Sequence, residues 1–128
     1  MVRIHVGLIE AGNSQLQAGN AGAAEQDFRK VLAEKSASPL VQAAAHRGLG
    51  GSLADEQKFA EAALEYARAA DISGDPLGAE DWLESGRLYL QAGQKEQAVS
   101  SFQAVLDKFP QSALVGEARV RLAEAQAR

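Results

Sequence analysis

The chain contains no cysteine, which removes disulfide staples and thiolate metal sites together and is compatible with reducing and oxidising compartments alike. Aromatic residues are scarce, at 5 % of the sequence against 46 % hydrophobic overall. The apolar payload is therefore mostly Ala and Leu, which lose little side-chain entropy in a helix, and the expected class is all-α. Proline is confined to Pro39, Pro76 and Pro110. Each lies between the periodic apolar stretches, where its missing N–H does least harm, so the prolines punctuate and do not interrupt. Positive charge is not in excess: 13 Lys and Arg stand against 17 Asp and Glu, a net charge of -4. Basic residues scattered singly cannot neutralise a row of phosphates, which argues against nucleic acid as a partner. No stretch approaches the roughly 20 apolar residues of a membrane span, so membrane insertion by this segment is not expected. The opening Met1-Val2-Arg3-Ile4-His5-Val6 lacks the apolar core and cleavage site of a secretion signal. That points to a cytoplasmic protein or to a domain taken from a larger one.

What is present is a self-similarity. Leu16-Gln17-Ala18-Gly19, Ala24, Phe28 and Val31-Leu32 return at the same mutual spacing as Leu90-Gln91-Ala92-Gly93, Ala98, Phe102 and Val105-Leu106. A degenerate copy between them keeps Ala62, Tyr66 and Ala69, so the anchors Phe28, Tyr66 and Phe102 fall 38 and then 36 residues apart. A period of that length is the signature of stacked helical hairpins. At 128 residues the chain is one domain, burying roughly two-thirds of its unfolded surface.

Apolar spacing at helical period predicts helices over about residues 4–18, 21–35, 39–55, 58–71, 77–92, 95–109 and 113–127. They pair into units over about 4–37, 38–74 and 75–111. Gly19 and Gly93 are placed to take the left-handed conformation that ends a helix. Ser38-Pro39 supplies a capping hydroxyl and a residue suited to a first helical turn. The middle hairpin has Gln57 where the other two have glycine, at a cost of about 1 kcal/mol for a left-handed residue with a Cβ, so a different turn is expected there. The last helix carries Leu114, Ala118, Leu122 and Ala125 on one stripe against Glu117, Arg121, Glu124 and Arg128, the pattern of a polar-faced terminal cap. The first helix differs: Val2, Ile4, Val6, Leu8 and Ile9 make it apolar on more than one side. Either Met1 to Val6 fold down onto the second helix, or another helix or a second copy covers this end.

The third unit reads Trp82-x2-Ser85-Gly86-x2-Tyr89, then Ala98-x3-Phe102 and Pro110. This resembles the tetratricopeptide repeat, in which Trp, Leu, Gly, Tyr, Ala, Phe and Pro recur at these spacings, with Ser85 in place of the Leu. The matching residues are His46, Leu49, Gly50, Leu53, Ala62 and Tyr66 in the second unit. In the first they are Leu8, Ala11, Gly12, Gln15, Ala24 and Phe28. The resemblance implies a right-handed α-solenoid of three hairpins with a C-terminal capping helix, acting as a non-catalytic scaffold or adaptor. Mid-helix Gly12, Gly50 and Gly86, each costly by about 1 kcal/mol against Ala, fit close helix packing, with Ala24, Ala62 and Ala98 as small partners across each hairpin. From Phe28 to Gly50 is 22 residues and from Tyr66 to Gly86 is 20, against about 18 in a 34-residue repeat. Such lengthened repeats, with Phe109-Pro110-Gln111-Ser112 at the end, resemble those of bacterial cell-envelope proteins. That resemblance implies a periplasmic setting, with the cytoplasm as the alternative.

In the family the first helix of each pair lines a groove for extended or helical peptides. By pattern the lining here is Ile9, Asn13, Gln17, Arg47, Asp55, Leu83, Arg87 and Gln91. Arg47 and Arg87 could hold a peptide carboxylate by paired hydrogen bonds, or could be solvated helix residues pairing with neighbouring acids. Gly48-x-Gly50-Gly51 follows no strand and is not read as a phosphate loop. His46 fills the slot of Trp82 and is expected to pack in the core rather than bind a metal. Asp55-Glu56, Glu80-Asp81 and Glu84 are expected on exposed helix faces or ends, with no base or cleft to tune them. No catalytic residue, cofactor or metal ligand is assigned. The expected partner is a protein or peptide, with two alternatives: self-association through the apolar first helix, possible as a homodimer, and a regulatory domain of a larger protein.

Overall fold

A computed structural model describes residues 2–72 and 75–128, the side chains of Val2 and Arg3 excepted. Among these residues the chain forms seven helices: α1 Val2–Gln17, α2 Ala21–Leu32, α3 Pro39–Asp55, α4 Phe59–Ala70, α5 Gly78–Gln91, α6 Lys95–Lys108 and α7 Val115–Ala127. Each helix packs on the next in sequence, and α1 also packs on α3, so the hairpins α1–α2, α3–α4 and α5–α6 stack with α7 closing the row. This is the helical repeat solenoid that the spacing implied.

The helix ends follow local chemistry. The Ser38 hydroxyl accepts from the Val41 N–H at 3.3 Å, with Pro39 in the first turn of α3. All three hairpin turns use one geometry, and here an expectation fails. Gln57 takes a φ of +63° beside Gly19 at +84° and Gly93 at +76°. In each turn the left-handed residue donates to the carbonyl three before it, and the next residue to the carbonyl five before. The bonds are Gly19 to Leu16 and Asn20 to Gln15, Gln57 to Ala54 and Lys58 to Leu53, Gly93 to Leu90 and Gln94 to Tyr89. Satisfying those carbonyls outweighs about 1 kcal/mol of strain at Gln57, so the middle hairpin turns like the others. α2 stops at Leu32, earlier than apolar spacing suggested, because Glu34 donates to Val31 in a tighter final turn.

The core explains the glycines. Phe28, fully buried, has its ring against both Gly12 of α1 and Gly48 of α3: a Cβ on Gly12 would fall 2.6 Å from the ring, and one on Gly48 closer still. Tyr66 lies on Gly50 and Phe102 on Gly86 in the same way. The closest approach therefore joins glycine to an aromatic ring, with the Ala62 carbonyl also 3.2 Å from a Cβ on Gly50, while Ala24, Ala62 and Ala98 are buried alongside. Gly48 is a packing residue as much as Gly50. Ser85, the departure from the repeat pattern, is fully buried and donates to the Ala63 carbonyl at 2.8 Å, with the Ser101 hydroxyl 3.1 Å away. A hydroxyl replaces a leucine here because it ties α5 to α4 and α6 at once, leaving no polar atom unmatched.

At the N-terminal end residues 2–6 continue α1, and Ile4 and His5 border a recess with Lys30 and Ala33 at the end of α2; Met1, part of the same expectation, lies outside the described residues. Ile4 is 59 % and Val6 40 % exposed, while Leu8 and Ile9 pack inward and His5 is buried. Val2, part of the same apolar reading, has its side chain outside the described residues. At the other end Ala118 and Ala125 are buried and Leu122 packs with them, as the stripe required. The outer face of α7 is less polar than expected, since Val120 is 58 % exposed between Glu117, Arg121 and Glu124.

Candidate functional site

The first helices of the hairpins form a row, and the residues assigned to it by pattern divide into three groups. Asn13, Gln17, Asp55 and Gln91 are exposed on it. Ile9 is half-buried and packs into the core between α1, α2 and α3, and Leu83 is half-buried between α5, α6 and α7. Arg47 and Arg87 are occupied.

Arg47, on α3, reaches across to α5. Its Nε donates to Asp81 Oδ1 at 2.8 Å and its Nη2 to Asp81 Oδ2 at 2.7 Å, while Nη2 also donates to Asp75 Oδ2 at 2.5 Å. Asp75 uses its other oxygen to accept from the Leu77 N–H at 3.1 Å, just ahead of α5. The two carboxylate side chains are 4 % and 3 % exposed. One guanidinium thus serves two buried carboxylates, and the cluster carries one excess negative charge. Burial pushes Asp81 up to about 6, the nearby Asp75 carboxylate adding to the rise and the Arg47 hydrogen bonds opposing it. Burial works against the charge of Arg47 too, but the bonds to Asp81 and Asp75 outweigh it and hold its pKa above the ordinary value. Asp81 was expected on an exposed face. It is instead buried, and Arg47 is an internal clamp between the second and third hairpins rather than a group open to a peptide carboxylate.

Arg87 pairs with Glu84 one turn earlier and donates to Gln91 Oε1 at 2.8 Å. The hydrogen bonds that Arg87 donates to Glu84 are the main reason its pKa is raised. His46 was expected as a core residue. It is half-buried with Nδ1 3.1 Å from Glu65 Oε1, and Glu65 also accepts from Arg68 at 2.8 Å. Burial acts to raise the Glu65 carboxyl, yet these two partners hold it below the usual carboxylate range. Tyr66 is pushed up to about 12 by burial and then by the Glu84 and Asp81 charges.

The site that sequence reasoning missed lies between α5 and α7. A groove of about 210 Å³ has Leu83 and Leu114 with Phe102 as its apolar lining, and Glu80, Glu84, Glu117, Arg87 and Arg121 around it. Arg121 approaches Glu117 at 3.6 Å and Arg87 pairs with Glu84, whereas Glu80 makes no ion pair among the described residues. Three carboxylates face two guanidiniums, so the groove carries one net negative charge. Leu114 and Leu122 were read only as the inner stripe of a cap, which concealed that Leu114 is shared with a groove. Among the described residues no group of three or more His, Asp or Glu side chains could hold a metal ion, and no helix is long and apolar enough to cross a membrane.

Comparison with known proteins agrees with the repeat geometry. A family profile described as tetratricopeptide repeat matches residues 9–78, and a second with that description matches residues 82–112. The human mitochondrial import receptor subunit TOM70 is 33 % identical over 96 residues, 75 % of this chain. The chain spans 16 % of the length of that relative.

Proposed function

The chain belongs to the tetratricopeptide repeat family, whose repeats are protein–protein interaction modules, and we propose that it works without catalysis by holding a peptide or protein segment along the row α1, α3, α5 and α7. The observation that carries this reading is the α5–α7 groove: an apolar floor at Leu83 and Leu114 beneath a rim of net negative charge, with Glu80 unpaired among the described residues. Such a surface suits a segment that offers an apolar side chain next to a lysine or arginine, because the floor removes apolar area from water and the rim supplies the counter-charge. The exposed Gln91, Asn13, Gln17 and Asp55 extend the same row with hydrogen-bonding groups. The likeness to a mitochondrial import receptor subunit supports an interaction role. The lengthened connections between units and the Phe109-Pro110-Gln111-Ser112 ending support a place in a bacterial cell-envelope assembly.

Fluorescence anisotropy with a labelled, short Lys/Leu peptide tests the reading. Saturable binding that falls about tenfold in Glu80→Lys, at an exposed rim position, and weakens with salt is the expected result. Equal binding of an acidic Glu/Leu peptide, or indifference to Glu80→Lys, would remove the groove from consideration.

A further inference from the structure

A second recess among the described residues is at the opposite end from that groove. It has a volume of about 440 Å³ and is lined by Ile4, His5 and Leu8 of α1 and by Lys30, Ala33 and Glu34 at the end of α2. Ile4 both borders the recess and projects from it, 59 % exposed, with Val6 exposed beside it. A protrusion and a hollow side by side on one patch are what an isologous contact needs, since each copy must supply both. The charges obey the same rule. Lys30 and Glu34 stand one helical turn apart at the rim with opposite sign, and neither makes an ion pair among the described residues, although Arg29, Arg68, Arg87 and Arg121 all do. Among the described residues the Lys30 and Glu34 charges cancel, and the pair is complementary to itself about a two-fold axis. The rest of the described, exposed face of α1 carries one charge, Glu10, and charge depletion marks the centre of interfaces. Gly7, on the exposed face next to Val6, would meet nothing within 4 Å if it bore a Cβ, unlike the core glycines, so the backbone is open to close approach from outside.

We propose that this end of the stack is a self-association surface, where a second copy of the chain docks about a two-fold axis. The Ile4 side chain of each copy enters the recess of the other, and Lys30 of each faces Glu34 of the other. The contact is confined to one end of the stack, so the dimer is expected in a concentration-dependent equilibrium rather than as an obligate pair.

Sedimentation velocity of the full chain over a concentration series tests it. A reversible monomer–dimer equilibrium is expected, and Ile4→Glu, at an exposed position, should raise the dissociation constant at least about tenfold with unchanged helicity. Lys30→Glu and Glu34→Lys should each weaken self-association, and mixing the two variants should restore dimers, because both cross-pairs are then of opposite charge. A monomer at every concentration would overturn the proposal and leave the face to a different protein. So would a dimer indifferent to Ile4→Glu and to the charge exchange.

Discussion

Replacing Arg47 by Met keeps the aliphatic stem and removes the one cation between two buried carboxylates. In the wild-type chain Asp81, raised to about 6, holds a proton in the folded state that the unfolded chain releases near the ordinary aspartate value of 3.8. Folding therefore binds a proton between these values, and wild-type stability falls as pH rises from about 4 to about 6. A shift of that size corresponds to an expected loss of about 2–3 kcal/mol. Without Arg47 the penalty at pH 7.5 is that of a buried charge left unpaired, about 3 kcal/mol. At pH 5 Asp81 is already largely neutral, and the same substitution should cost only about 1–2 kcal/mol. Urea unfolding followed by circular dichroism at the two pH values measures both numbers. Adding Asp81→Asn to the Arg47→Met background should recover at least about 1 kcal/mol at pH 7.5. A destabilisation below about 1 kcal/mol, or one equal at both pH values, would refute the clamp.

Three further outcomes follow from the packing. Gly86→Ala places a methyl group against the Phe102 ring at the centre of the third hairpin and should destabilise by about 2–3 kcal/mol in thermal or chemical unfolding. Trp82→Ala should cost about 2–3 kcal/mol rather than the 3–5 of a fully buried tryptophan, since the ring is half-buried under Lys108 Nζ, 5.0 Å from its centroid. Gln57→Gly relieves the left-handed strain at φ +63° but frees the unfolded chain, so midpoint stability should rise by no more than about 1 kcal/mol and must not fall.

The repeat was legible in the sequence because its determinants are local. Glycines, aromatics and prolines at fixed offsets set the hairpins, and the helix limits differ from the apolar periodicity by at most a few residues. Gln57 was misread because propensity weighs the residue alone, whereas the turn is decided by the carbonyls of Leu53 and Ala54 that must be satisfied. The Arg47 clamp was out of reach for a different reason: Asp75 and Asp81 lie 28 and 34 residues away, and helical periodicity carries no record of which charges meet across units. Gly48 was weighed as part of a loop motif, and nothing in its neighbours revealed that Phe28, twenty residues earlier in the chain, would rest on it. The α5–α7 groove arises only when Leu114 and Leu83 are brought together by the stacking of α7.

The most direct test of the interaction reading is a backbone amide NMR titration of the chain with the Lys/Leu peptide. Shift changes centred on the residues around Leu83, Arg87 and Leu114 are expected, with the α1–α2 end unaffected. No shift changes, or changes confined to Ile4, Leu8 and Ala33, would contradict the account.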